Sequence, residues 1–284
     1  MANLRDLNKR RKSASSTRKI TRTMELVASA KLKKAMEAAS ASRPYAEGLR
    51  TVLARVRAAA GSDAKHPLLT QRPVKQALIC VASSDRGLCG AFNANLVSLA
   101  LSRGRELEAQ GARVQYLALG KKGGSNLVFF GRQPVTVHQK LVGGAYAVAE
   151  PVASDLIKRF TAGEYDRIEI VYPRFVSQVR QVPEAVALLP AGASDDGAEK
   201  PKGAQASMLF APEPEELLAA LVPLAVKSQF FSCLLQTSAA EHAARRVDLV
   251  DRQLLGLDAN DAGTHAGCPR SGQNRLRRRK MAHM

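Results

Sequence analysis

The first fifty-odd residues, from Asn3 to about Ala59, contain no Gly before Gly48 and a single Pro, Pro44. Ala, Leu, Met, Lys, Arg and Glu dominate the stretch, and these residues lose least on entering a helix. Met24, Ala28, Leu32, Ala35 and Ala39 recur at helical spacing, and Tyr45, Leu49, Val52 and Val56 extend the pattern. About 55 residues at 1.5 Å each make a rod of roughly 80 Å. An ordinary globular domain does not bury such a rod along its length. The rod must therefore pair with another helix, lie on a partner, or both.

A second helical stretch closes the chain. From Glu213 the residues Leu217, Leu221, Leu224, Ser228, Phe231, Leu235 and Ser238 fall alternately four and three apart, a heptad stripe through which Pro223 passes. Between the two arms the period changes. Gln76–Ser83 and Arg113–Gly120 are apolar runs of strand length, Gln133–Gln139 is a weaker one, and Arg167–Phe175 and Val182–Pro190 are two more. Helical stretches separate the first four, at Ala91–Gln110, about Lys121–Phe130 and Tyr146–Gly163. Alternation of this kind predicts an α/β, Rossmann-like body with a largely parallel sheet, its last two strands close enough for a hairpin. The expected organisation is a shaft helix over 1–60, a body over 61–190, a flexible linker over 191–212, a second shaft helix over 213–250, and an irregular basic tail over 251–284. The compact body brings the inner ends of the arms together, so the simplest geometry is an antiparallel coiled coil. The alternative is that each arm packs separately on the body.

Charge narrows the function. The chain carries a net +18, and between Asn3 and Arg57 there are 15 Lys+Arg against 4 Asp+Glu. A basic rod could meet nucleic acid, anionic lipid or an acidic protein, and charge alone does not choose. No run of about eighteen uninterrupted apolar residues predicts a membrane span. The N-terminus lacks the apolar core of a secretory signal, and its resemblance to a transit peptide is weak because the apolar pattern runs on unbroken. The four cysteines, Cys80, Cys89, Cys233 and Cys268, form no Cys-x-x-Cys pair and read as reduced thiols in a cytoplasmic setting.

The sharpest candidate for chemistry is SSDRGLCGAFN, Ser83–Asn93, where a strand gives way to a helix. Ligands often sit at that position in α/β proteins. Its spacing matches neither the dinucleotide fingerprint nor the P-loop. Cys89 as a nucleophile has no His nearby in sequence, and a tight turn with Asp85 capping the helix or pairing with Arg86 is the plainer reading. The five histidines show no metal-ligand spacing. No catalytic, cofactor or metal constellation emerges, which points to a part that works through shape and contacts.

Four blocks together resemble the gamma subunit of the F-type ATP synthase: STRKITRTMELVASAKLKKA with ASRPYAEGL; KHPLL with SSDRGLCGAFNANL; QVPEAVALLP; and EPEELLAALVPLAVKSQFFSCLLQTSAAEHAAR. They cover roughly residues 1–245 in order. The resemblance implies a central rotor shaft whose terminal helices form an antiparallel coiled coil inside a ring of alpha and beta subunits. The body would stand below the ring, against the epsilon subunit and the membrane c-ring. Proton flow would turn the shaft and drive the beta subunits through their states. The subunit would carry no active site and no cofactor, and would take part in regulating ATPase activity. Carried over residue by residue, the resemblance makes Arg10, Lys19, Met24, Lys31, Lys33 and Lys34 candidate contacts with the ring. It makes Asp85, Arg86, Gly87, Leu88, Cys89 and Gly90 a candidate loop toward epsilon and the c-ring. The expected location is peripheral, on the cytoplasmic face of a bacterial inner membrane.

The resemblance stops near Arg245. The family continues with Ala-rich periodic helix, whereas this chain turns to a sequence with Gly256, Gly263, Gly267, Pro269 and Gly272 and ends in RLRRRK before its last four residues. Either the tail is a genuine basic arm or, the preferred reading, the gene or its assembly carries a frameshift at about codon 245. Two competing functions remain open at this stage: a basic nucleic-acid-binding α/β protein with steep salt dependence, and an enzyme that depends on Cys89.

Overall fold

The computed structural model describes residues 4–60, 66–144, 146–191 and 214–261. The elements in order are α1 (Leu4–Ala60), β1 (Gln76–Ala82), α2 (Phe92–Ala109), β2 (Arg113–Leu119), α3 (Lys121–Phe129), β3 (Pro134–His138), α4 (Tyr146–Thr161), β4 (Arg167–Phe175), β5 (Gln181–Leu189) and α5 (Pro214–Asp261). Mixed α/β architecture with long terminal helices is what the sequence patterning predicts. The chain divides into two units, one of Glu25–Asp248 and one of Met1–Met24 with Leu249–Met284.

In the larger unit the sheet has the order β3-β2-β1-β4-β5. β1 pairs parallel with β2 and with β4, and β2 pairs parallel with β3. β5 returns antiparallel to β4, the hairpin expected from the short connection. Side chains alternate along each strand, so each strand supplies two layers. On one face Leu78, Cys80, Ala82, Leu117, Leu119, Ile168 and Ile170 meet α4 and the first half of α5. On the other, Ala77, Ile79, Val81, Tyr116, Ala118 and Val171 meet α2 and α3.

The two terminal helices run antiparallel within this unit. Lys31 of α1 acts electrostatically on Glu241 and His242 of α5, whereas Arg50 acts on Cys233. Rising numbers on one helix thus meet falling numbers on the other. The α1 stripe is continuous: Ala28, Leu32 and Ala35 are buried, Ala39, Ser42, Ala46 and Leu49 are half-buried, and Leu53 and Val56 are buried. These positions alternate strictly three and four apart, the heptad seam. Tyr45 and Val52, expected on the stripe, are instead 57 % and 46 % exposed. The small residues Ser42 and Ala46 keep the phase, and large apolar neighbours out of phase concealed it.

On α5 the expected stripe is buried at Leu235 and Ser238, but over the first half of the helix the buried face lies one position over. Leu218, Val222, Val226, Phe230 and Leu234 are buried, while Leu217, Leu221 and Phe231 are half-buried and Leu224 is exposed. The cause is packing against two surfaces, since this half of α5 lies against α4 and the sheet as well as α1. Both geometries considered from sequence therefore hold here, pairing of the arms and packing on the body. By length and composition α5 also qualifies as a membrane span over Glu216–Gln253, with a mean hydropathy of 1.7 in its most apolar window. That corrects the expectation that no segment passes such a test. Leu218, Val222, Val226, Phe230 and Leu234 within it belong to the core.

The smaller unit holds the outer ends of α1 and α5. The α1 residues from Leu4 to Thr23 are exposed except for the half-buried Ala14 and Thr21. Leu249 is fully buried. α5 runs on to Asp261, eleven residues past the expected end at 250. One Gly in a helix costs only about 1 kcal/mol relative to Ala, so Gly256 does not stop it. Of the expected linker over 191–212 all but Ala191, and of the expected tail over 251–284 the residues beyond 261, lie outside the described residues.

Candidate partner-binding surfaces

The loop after β1 sits at the topological switch point. The chain leaves β1 for β2 on one side and returns to β4 on the other, so the carboxyl ends of β1 and β4 flank a crevice. Doubly wound proteins place ligands there. Here Ala240 and Ala244 of α5 pack into the same cluster as Cys89, Phe92, Val171 and Phe175. A Cβ at Gly90, whose φ is +59°, would stand 4.0 Å from Asp248 Oδ1 of α5. α5 thus packs against the loop at this end of the sheet.

The loop is tied down residue by residue. The Ser84 hydroxyl donates to the Arg86 carbonyl at 2.7 Å. The Ser84 amide donates to Asn93 Oδ1 at 3.0 Å, and Asn93 Nδ2 donates to Cys89 Sγ at 3.3 Å. Asp85 accepts the backbone N–H of Lys121 at 2.9 Å and that of Lys140 at 2.8 Å. It thus caps the start of α3, not the start of α2 or Arg86 as the sequence reading supposed. Gly120 makes this approach possible, because a Cβ there would stand 2.2 Å from the Ser83 carbonyl oxygen.

Sorted by direction, the six loop candidates separate. Cys89 is 3 % exposed, and burial raises its thiol pKa, so it is held as the unreactive thiol. That removes the physical basis for a Cys89 nucleophile. Asp85 faces inward to its two amides, and Gly87 is half-buried. Arg86, Leu88 and Gly90 are exposed. Leu88 is 40 % exposed at φ +61°. A left-handed Leu costs about 1–2 kcal/mol, and strain of this kind persists only where the surroundings enforce it.

Beneath the loop, Arg245 donates to Glu241 Oε1 at 2.5 Å, and its other amino group lies 3.2 Å from His242 Nδ1. Glu241 and Arg245 are both buried. Burial, then the Arg245 and Lys31 charges, push His242 down to about 4. Burial also raises the Glu241 carboxyl, against the pull of Arg245. No sequence reading singled out this pair, although its spacing of four on a helix was available.

The shaft candidates divide between the two units. Arg10, Lys19 and the half-buried Met24 belong to the smaller unit, and Lys31, Lys33 and Lys34 to the larger. All five cations are exposed.

A family model described as ATP synthase matches residues 3–250. The ATP synthase gamma chain of Roseobacter denitrificans is 40 % identical over 255 residues, covering 86 % of this chain and 85 % of that one. The ATP synthase gamma chain of Pelotomaculum thermopropionicum is 36 % identical over 272 residues, covering 91 % and 92 %. Among solved structures, a chain of the central stalk and c-ring of the Tetrahymena thermophila mitochondrial ATP synthase superposes with a TM-score of 0.62. It is 23 % identical, with 82 % of this chain and 98 % of that one covered. A rotor chain of the Euglena gracilis mitochondrial enzyme gives 0.55 at 17 % identity, covering 97 % and 99 %.

Proposed function

The chain belongs to the ATP synthase gamma-chain family, and from that premise we propose how its surfaces divide among partners. It is the central rotor shaft of an ATP synthase, a non-catalytic part of an enzyme complex that is attached to a membrane sector. One observation carries the mechanical side of this reading. Within the larger unit the two terminal helices pair antiparallel, and α5 also packs against both faces of the body's sheet. Within the larger unit a torque applied to the body therefore reaches α1 and α5 through packed side chains.

The exposed cations Arg10, Lys19, Lys31, Lys33 and Lys34, with Met24, face alternating alpha and beta subunits. Electrostatic complementarity there fixes orientation more than it adds affinity. Arg86, Leu88 and Gly90 present the loop to the epsilon subunit and the c-ring, while Asp85, Gly87 and Cys89 shape it from within. Rotation driven by proton flow turns the shaft, and the complex sits on the cytoplasmic face of an inner membrane. Supporting this division are the outward direction of those side chains and the strained backbone at Leu88.

The test is reconstitution with alpha and beta subunits. The chain is expected to join the ring, and Lys33→Glu with Lys34→Glu is expected to weaken joining at least tenfold at low salt. Joining unaffected by the charge reversal would remove these residues from the interface. The matched family region ends at residue 250, close to where the sequence departs from the family. We attribute the departure to a frameshift. Translation of the adjacent frame from about codon 245 should restore an apolar heptad, and stop codons there would make the tail genuine.

A further inference from the structure

Phe129 is 83 % exposed, the most exposed large apolar side chain in the chain's described residues, and Phe130 beside it is 56 % exposed. Their rings meet edge to face with centroids 5.3 Å apart. Val128 on α3 and Val135 and Val137 on β3 are exposed too. α3 lies against that face of β3, since a Cβ at Gly124 would stand 2.9 Å from Val137. By the alternation of a strand, Val135 stands on the same side as Val137. These five side chains border an edge of the sheet. β3 pairs only with β2, and among the described residues its second edge carries no partner strand.

Within the α3–β3 stretch itself the charges have one sign, while Asp85 accepts the backbone amides of Lys121 and Lys140 and Asp155 acts on His138 from outside it. Residues 121–149 contain Lys121, Lys122, Arg132 and Lys140 and no Asp or Glu. Arg132 is held by both oxygens of Glu108, at 2.8 and 3.0 Å. The three lysines form no ion pair among the described residues. Pro134 and the strand's length of five residues blunt the edge against chance pairing. They do not explain two aromatic rings held in water. Exposed large apolar side chains gathered on one α3–β3 unit beside exposed lysines mark an interaction surface.

We propose that the α3–β3 edge receives an extended, acidic segment of another protein subunit, which adds as a strand beside β3. Its backbone would take up the free edge of β3. Its apolar side chains would cover Phe129, Phe130, Val135 and Val137, and its carboxylates would meet Lys121, Lys122 and Lys140. This deepens the rotor reading and rests on it, because it needs the chain in a multi-subunit complex. It adds a surface that neither the shaft cations nor the Arg86–Leu88 loop provides.

The test uses the assembled complex with p-benzoylphenylalanine in place of Phe129. Irradiation should give one protein cross-link, mapped by mass spectrometry to an extended segment of net negative charge. Amides of residues 135–138 that point away from β2 should exchange at least tenfold more slowly in the complex than in the free chain. Lys121→Glu with Lys122→Glu should cut the cross-link yield at least fivefold. A cross-link to lipid, to a basic segment or to nothing would overturn the proposal, as would unchanged exchange at β3. If the unsubstituted chain fails to enter the complex, the rotor reading fails and this one with it. If it enters and the cross-link is absent, only this one fails.

Discussion

Cys89 illustrates how a residue with chemical potential can be held inert. It lies in a loop built by Ser84 and Asn93, under the shaft helix, with its pKa raised by burial. Cys80 and Cys233 are likewise buried, each pushed up to about 12. Alkylation of the native chain at pH 8 should therefore be at least a hundredfold slower at these three than at an exposed thiol, and fast once the chain is unfolded. Equal rates would mean that the loop opens freely. Asp85→Ala strands two backbone N–H groups and should cost about 1–3 kcal/mol of stability, read by denaturant unfolding. His242 makes a further difference. Its folded pKa of about 4 lies below the ordinary 6.5, so the unfolded chain binds more protons between those values. Stability contributed by the neutral ring is thus lost as pH falls from 6.5 to 4, by at most about 3 kcal/mol. The raised Glu241 carboxyl acts in the opposite sense above its ordinary range, as the folded state takes the proton first. The charges facing the pair are Lys31, Arg245 and Asp85. Comparison of the wild type with His242→Gln isolates the histidine: the variant should lose less stability over that window. Identical profiles would remove the role.

At the scale of elements, the helix–strand rhythm was legible because each strand is an apolar run between polar turns. The parallel order followed from the helices between them. The phase of α1 was only half legible, because Ser42 and Ala46 mark a seam by being small. The phase of α5 was legible at Leu235 and Ser238 and hidden over its first half for another reason: an element that packs on two surfaces has an apolar face wider than a heptad. The loop's anchoring was illegible, since the partners of Asp85 lie 36 and 55 residues away in the chain. Exposure of Phe129 and Phe130 could not be read either, because an apolar pair at a helix end looks like core. The α1 phase makes a direct prediction. Leu53→Ala should destabilise the chain by about 2–4 kcal/mol, and Tyr45→Ala by no more than about 0.5, in the same unfolding assay. The reverse order would restore the phase expected from the larger side chains.

For the whole molecule, the long basic helix that could not be buried alone now has two kinds of partner. Within the larger unit α5 pairs with it, and α5 in turn seats on the sheet. In the smaller unit the α1 side chains from Leu4 to Thr23 remain largely exposed, the part assigned here to the alpha and beta ring. The alternative of nucleic-acid binding rested on net charge alone, whereas the gamma-chain family is shown by the whole matched sequence. The decisive measurement is single-molecule rotation. An alpha–beta ring would be fixed to a surface and assembled with this chain, and in parallel with a version whose tail is read from the adjacent frame. A bead would be attached through Val179→Cys on the exposed β4–β5 turn. With ATP supplied, the bead should turn continuously in one direction with at least one of the two chains. A ring that hydrolyses ATP while both chains sit bound and motionless would contradict the rotor shaft.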